Sequence, residues 1–294
     1  MKNTININTG HLRHKLIMSI VYKIAEPFLK RNAKLLSASY STVAKDYGNK
    51  NIERHLRITN EIKSLVISHP NDILLDLGCG NGDLVHSLNN QIGEIKTICG
   101  LDISYDMLKV ASLKNKKTFF VNGTASKLPI KDNSINLIVS SLCFHHLPNQ
   151  KKALMEIHRI LKPEGMFICC TAGEQYLSEI VAHIIDLALY PKWTRYFLTQ
   201  PPMFWPISKK NMQKQLEMSG FKVAEIYDQF WTDTYKSSKE VLKVFNNITG
   251  QFITSTMPHD DREKYNNQLL HRLEKHQITK LTDHLIFSKS IKKR

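Results

Sequence analysis

The chain has no C-x-x-C pair among its five cysteines, Cys79, Cys99, Cys143, Cys169 and Cys170. Most of them sit in apolar runs. They read as reduced core residues of a cytosolic, hence cytoplasmic, protein, neither disulfides nor metal ligands. No apolar run approaches the roughly 20 residues that span a bilayer. No long basic run appears either, although Lys+Arg 41 against Asp+Glu 26 leaves a net charge of +15. Scattered excess of that size either is solvated or favours anionic partners: nucleic acid, an acidic carrier protein, an anionic small molecule or a membrane surface. What is present is ordinary for a globular protein, with 42% hydrophobic and 23% charged residues. A length of 294 residues holds one large α/β domain with additions, or two small domains.

The informative stretch is Ile73-Leu74-Leu75-Asp76-Leu77-Gly78-Cys79-Gly80-Asn81-Gly82-Asp83. Its apolar run suits a strand buried on both faces, and a helix-compatible segment follows the glycines. Gly78, Gly80 and Gly82 remove side chains where a ligand would approach the backbone, and they permit positive φ. The next helix aims its N-terminal N–H groups at that point. A dinucleotide site wants G-x-G-x-x-G, whereas here the glycines fall as G-x-G-x-G with Asp83 next. Asp102 ends a second apolar run 20 positions after Gly82, where an acid can accept from ribose hydroxyls.

These features resemble motif I and the following acid of the class I S-adenosyl-L-methionine (SAM) methyltransferases of the broad type-11 group. The likeness is best over residues 40–171. It implies that Asp76, Gly78, Cys79, Gly80 and Gly82 wrap the amino-acid end of SAM and that Asp102 binds its ribose. Ile103-Ser104-Tyr105-Asp106-Met107-Leu108 resembles the family's D-x-S-x-x-M-L continuation, with Ile103 and Met107 against adenine and Ser104 capping a helix. Gly123 to Pro129 resembles G-D-A-x-x-L-P, but Thr124 replaces the usual acid, leaving its hydroxyl or the backbone of Thr124 and Ala125 for adenine. Tyr40 to Tyr47 resembles an aromatic-x3-Ala-x2-Tyr segment, which casts Tyr47 as a cover over SAM.

Regular βα alternation predicts a doubly wound parallel sheet. The resemblance makes it Rossmann-like, with an antiparallel final strand. Expected strands are 73–77, 97–102, 118–122, 135–140, 166–171, 222–230 and 285–288. Helices are expected at 83–91, 152–161, 208–219, 237–252 and 260–276. Residues 1–39 read as an N-terminal helical extension and 40–294 as the methyltransferase domain, with a SAM-binding core at 70–175. In the extension, Leu12, Leu16, Ile20, Ile24 and Phe28 recur at near-helical spacing among basic residues. That helix suits a lid, an oligomer contact, an interfacial membrane contact or packing on its own domain. Lys23 and Glu26 argue against a cleaved signal.

After strand four, Ser141 and the run Phe144-His145-His146-Leu147 border the carboxyl ends of the strands, where ligands bind in open sheets. His145 or His146 would orient the acceptor or remove a proton; a structural role for the pair is the other reading. The aromatic, proline-broken insertion from Tyr176 to Pro206 suits a helical lid over substrate. Trp193 and Arg195 within it, and Arg57 on an earlier helix, are substrate candidates. The expected activity is methyl transfer from SAM to a small-molecule acceptor, taken as an anionic carboxylate drawn by the basic excess. The alternatives are an RNA or protein methyltransferase, or a non-catalytic SAM-binding partner. No N-P-P-Y-type sequence follows strand four, which speaks against a nucleic-acid base as acceptor.

Overall fold

Leu74, Leu75 and Leu77 have almost no solvent exposure, and neither do Leu137, Ile138 and Val139 on the neighbouring strand. Strands apolar on both faces must lie inside a sheet covered by helices on each side. A computed structural model shows that arrangement. It describes residues 37–38, 40–41, 52–91, 97–198, 206–250, 254 and 257–294. The helix expected within 11–36 and Tyr47 lie outside the described residues.

The described elements run α1 Ile52–Leu65, β1 Ile73–Leu77, α2 Asp83–Gln91, β2 Thr97–Asp102, α3 Tyr105–Lys114, β3 Phe119–Asn122 and β4 Ile135–Ser141. They continue with α4 Gln150–Ile160, β5 Leu161–Ala172, α5 Ser178–Ala188, α6 Pro191–Leu198, α7 Lys209–Met218, β6 Phe221–Thr234, α8 Ser238–Phe245, α9 His259–Lys275 and β7 Lys280–Lys292. The seven strands form one sheet in the order β3-β2-β1-β4-β5-β7-β6. Neighbours from β3 to β5 pair in parallel, and β7 is antiparallel to β5, from Met166 opposite Ile291 to Ala172 opposite Leu285.

That order puts the topological switch point between β1 and β4. Their carboxyl ends therefore open a crevice, bounded by the loops after β1, β2, β3 and β4. Ser140 Oγ donates to the Leu77 carbonyl at 3.0 Å and fixes β4 against β1 beside it. Ser104 caps α3, its hydroxyl accepting from the Met107 N–H at 3.3 Å. Asn149 caps α4 by accepting from the Lys152 N–H at 2.8 Å.

Several boundaries differ from the sequence expectation. Pairing of β4 with β5 begins at Ile135–Leu161 and resumes at Leu137–Met166, so Pro163-Glu164-Gly165 forms a bulge at the strand's start. β7 spans 13 residues, and Asp283, His284, Ser288 and Ser290 are buried along it on both faces; their polarity hides the strand's length in the sequence. The helix expected at 237–252 ends at Phe245 and passes into a π-helical turn, Asn246–Gly250.

The chain divides into two compact units. The sheet unit comprises the described parts of 33–176, 204–231 and 283–294. The helical unit comprises those of 177–203 and 232–282. In the helical unit Trp193 is buried, its indole N–H donating to Gln268 Oε1 at 2.8 Å and its ring edge-on to Tyr265 at 5.4 Å. No helix among the described residues is long and apolar enough to cross a membrane.

Candidate active site

The loop after β1 begins with three glycines at positive φ, Gly78 at 78°, Gly80 at 52° and Gly82 at 77°. Their reasons differ. A Cβ on Gly78 would stand 2.3 Å from Cys143 Sγ, so this glycine lets the loop after β4 close against the loop after β1. A Cβ on Gly82 would stand 2.7 Å from Asn115 Nδ2 and 2.9 Å from the Ala111 side chain, so it lets α3 pack closely. Only Gly80 has nothing within 4 Å of that position. Gly78 and Gly82 are thus positions of close packing, and Gly80 is the one of the three with open space at its Cβ position.

Asp102 ties the loop to β2. Its Oδ2 accepts from the Gly80 N–H at 2.9 Å and its Oδ1 from the Ser104 N–H at 2.8 Å. Burial raises its carboxyl above the ordinary range, and these N–H groups pull it back. Asp76 is different. It is 1% exposed, and neither carboxylate oxygen has a hydrogen-bond partner. Burial, then the charge of Asp102, pushes its carboxyl up to about 8. A buried, unpaired carboxylate is costly unless a donor or cation meets it.

One cavity in the sheet unit takes in Asp76, Gly78, Cys79, Gly80, Asp102, Ile103, Met107, Thr124, Ala125 and Ser141 among its lining. The sequence reading assigned nine of them to the cofactor and placed the tenth, Ser141, at the ligand-binding ends of the strands, also as a cofactor candidate. Gly82 is the described member of that set outside the lining. Thr124 Oγ1 is within 3.1 Å of Ser126 Oγ and accepts from the Ser126 N–H at 3.4 Å, so its hydroxyl shapes a local turn. Cys79 and Cys143 line the cavity as thiols. Burial and then the carboxylates of Asp102 and Asp76 push Cys143 to about 12, and burial with the same two acids also raises Cys79.

The histidine pair divides its work. His145 Nδ1 accepts from the Ala172 N–H at 3.1 Å and lies 3.2 Å from Thr171 Oγ1. Burial, with His146 and Arg54 adding, holds its pKa well below the ordinary value, so the ring is neutral, with Nδ1 engaged by the β5 backbone. His146 lines the cavity, 4.2 Å from the His145 ring and 5.8 Å, edge to face, from Tyr40. Leu142, next to Ser141, adopts φ 51° with its N–H on the Cys170 carbonyl at 2.9 Å, a left-handed conformation that costs a bulky residue about 1–3 kcal/mol.

The three residues assigned to substrate lie elsewhere. Arg57 places its guanidinium over the Trp231 ring at 5.5 Å. Trp193 is in the core of the helical unit, and Arg195 pairs there with Asp261 at 2.9 Å. None of the three is in the described lining of the cavity, which also includes Tyr40, His55, Thr59 and Asn81, not selected as site residues from sequence. Tyr40 opens the aromatic segment and Asn81 lies within the glycine stretch, whereas no motif marks His55 or Thr59. The His55–Thr59 spacing of one helical turn is the signal available in the sequence.

With this geometry in view, residues 75–169 match the family model described as a methyltransferase domain. Residues 75–169 form a methyltransferase domain. The chain is 34% identical over 150 residues to protein MJ1252 of Methanocaldococcus jannaschii, covering 51% of this chain and 54% of that one. It is 28% identical over 175 residues to a demethylmenaquinone methyltransferase of Lactiplantibacillus plantarum, covering 56% and 70%. Over the first of these relatives, the match spans about half of the relative's length.

Among solved structures, the YcgJ protein of Bacillus subtilis aligns with a TM-score of 0.56 at 19% identity, covering 82% of this chain and 99% of that one. A Haemonchus contortus phosphoethanolamine N-methyltransferase in complex with S-adenosylhomocysteine aligns with a TM-score of 0.55 at 15% identity, covering 86% and 58%. These likenesses establish the fold. The methyltransferase domain holds Asp76, the glycine loop, Asp102 and the histidine pair; α1 and β7 lie outside the matched span.

Proposed function

We propose that the chain is a SAM-dependent methyltransferase acting on a small-molecule acceptor. One observation carries the cofactor assignment: the Asp76 carboxylate is buried in the cavity with both oxygens unpaired, beside the one glycine of the loop that faces open space. That arrangement fits a ligand with a cationic donor group, such as the ammonium of SAM, lying along the loop backbone. Asp102 would meet the ribose hydroxyls with its remaining lone pairs. Ile103 and Met107 would offer apolar surface to adenine, and Thr124 and Ala125 a polar rim.

SAM brings an already activated methyl group on its sulfonium. The protein's task is to align the acceptor with it and exclude water. His146, lining the cavity after β4, would orient the acceptor or take its proton, with the His145 ring packed against it. The relatives named for demethylmenaquinone support a small-molecule acceptor. The carboxylate expectation has no such support, since no lysine or arginine lines the cavity among the described residues.

Calorimetry with SAM and S-adenosylhomocysteine tests this reading. Binding of both, lost on Asp102→Ala, is the expected outcome. A folded chain that binds neither would end it.

A further inference from the structure

We infer that Arg54 is a positioning residue: by holding Asp283 and Tyr176 at once, it sets the two walls of the cavity that α1 and the histidine turn provide. The inference goes beyond the methyltransferase reading and takes from it only the ligand used as a probe.

The α1 wall needs such a hold. His55, Ile58 and Thr59 line the cavity, yet α1 lies outside the matched span and joins β1 through residues 66–72. His55 stands ten positions before Leu65, the last residue of α1, which is about 15 Å along the helix axis. A tilt about that end displaces His55 and Thr59 while leaving Leu65 in place. Three side chains on one stripe of α1 oppose that tilt. Arg54 Nε donates to Asp283 Oδ2 of β7 at 2.6 Å, and its Nη2 donates to the Tyr176 hydroxyl at 2.5 Å. Arg57 lies over the Trp231 ring of β6 at 5.5 Å, and the Tyr227 hydroxyl of β6 donates to Glu61 Oε1 at 2.6 Å. Arg54 is the one next to His55, and the one that is buried.

The second partner of Arg54 reaches the other wall. The Tyr176 ring lies 6.1 Å from the His145 ring, and His145 packs at 4.2 Å on His146, which lines the cavity. The charge of Arg54 is felt on both sides. Burial and then Arg54 lower His55 to about 4, and burial, His146 and then Arg54 lower His145.

Energetics favour position over stability as the role of this contact. A buried ion pair gains little over an apolar pair of similar volume. Here Asp283 Oδ1 is buried without a hydrogen-bond partner, a further cost. What the guanidinium supplies is a rigid fork that fixes two partners in two directions. A lysine ammonium is a point charge on a flexible stem and fixes neither.

Arg54→Lys in the full chain tests this, since it keeps the charge beside Asp283 and loses the fork. Its S-adenosylhomocysteine affinity should fall at least about fivefold, although neither Arg54 nor Asp283 is in the described lining of the cavity, while its melting temperature stays within about 5 °C of wild type. The paired variant Arg54→Met with Asp283→Leu removes both charges and should behave in the same way. Arg54→Met alone should melt well below both, because it leaves the buried carboxylate without its cation. Hydrogen exchange of the ligand-free chain gives a second readout. In Arg54→Lys, the amides of 55–59 and of 144–147 should both exchange faster, with those of α2 and α3 unchanged. Binding within about twofold of wild type by Arg54→Lys and by the paired variant overturns the inference. So does faster exchange that is absent or confined to 55–59. A wild-type chain that binds no S-adenosylhomocysteine ends the methyltransferase reading instead, and the exchange result alone then decides this inference.

Discussion

The Asp102 carboxylate accepts the Gly80 N–H at 2.9 Å, so the acid at the end of β2 holds the loop after β1 in place. A residue assigned to ribose from sequence thus has a second duty before any ligand arrives. Its other oxygen accepts the Ser104 N–H at the start of α3. Three segments meet at one side chain.

Asp102→Ala should therefore do two things at once. It removes the ribose acceptor and leaves two N–H groups unpaired, each costing about 1–3 kcal/mol. A tenfold or greater loss of SAM affinity with a lowered melting temperature is expected from calorimetry and thermal denaturation. Affinity lost with stability unchanged would confine Asp102 to ligand binding.

The glycines should separate by phenotype. Gly78→Ala and Gly82→Ala run into Cys143 and into Ala111 with Asn115, and should destabilise the fold by several kcal/mol. Gly80→Ala meets no neighbour, so its cost is the strain of φ 52°, about 1 kcal/mol. Its larger effect should be on SAM affinity. Parallel melting curves and titrations check this ordering.

Asp76 should make the ligand-free protein less stable as pH rises. Its folded carboxyl keeps a proton up to about pH 8, while an unfolded aspartate releases it near the ordinary 3.8. Between those values the folded state binds more protons, so stability falls with rising pH by up to about 1.4 kcal/mol per unit. Asp76→Asn should flatten that slope in denaturant titrations across the window. An unchanged slope would assign the pH dependence to other groups.

The histidines should part in the same way. His145→Ala leaves the Ala172 N–H unpaired in the core and opens a cavity, and should lower stability by about 2–4 kcal/mol. His146→Ala removes a buried ring packed on His145 and Tyr40, so it should cost some stability but less than His145→Ala, and reduce turnover once an acceptor is in hand.

What was legible in the sequence is what the backbone makes locally. Asp76, the glycine turn and Asp102 sit where short strands end, so spacing alone put them at one crevice. The purpose of each glycine was not legible, because Cys143 meets Gly78 from 65 positions away. His55 and Thr59 were missed for the same reason: they reach the cavity by packing of α1, with no motif of their own, while Tyr40 was passed over within its segment in favour of Tyr47. Trp193 and Arg195 looked like substrate contacts because aromatic and basic residues cluster around them. In the structure, Gln268, Tyr265 and Asp261, more than 60 positions on, are among their partners.

The most direct measurement is calorimetric titration of SAM at pH 7 in two buffers of different ionisation enthalpy, for the wild type and Asp76→Asn. If Asp76 receives the cationic end of SAM, wild-type binding releases close to one proton as that carboxyl ionises. The variant then loses both the proton release and most of the affinity. A wild-type chain that binds SAM without proton release and no more tightly than Asp76→Asn would contradict the account.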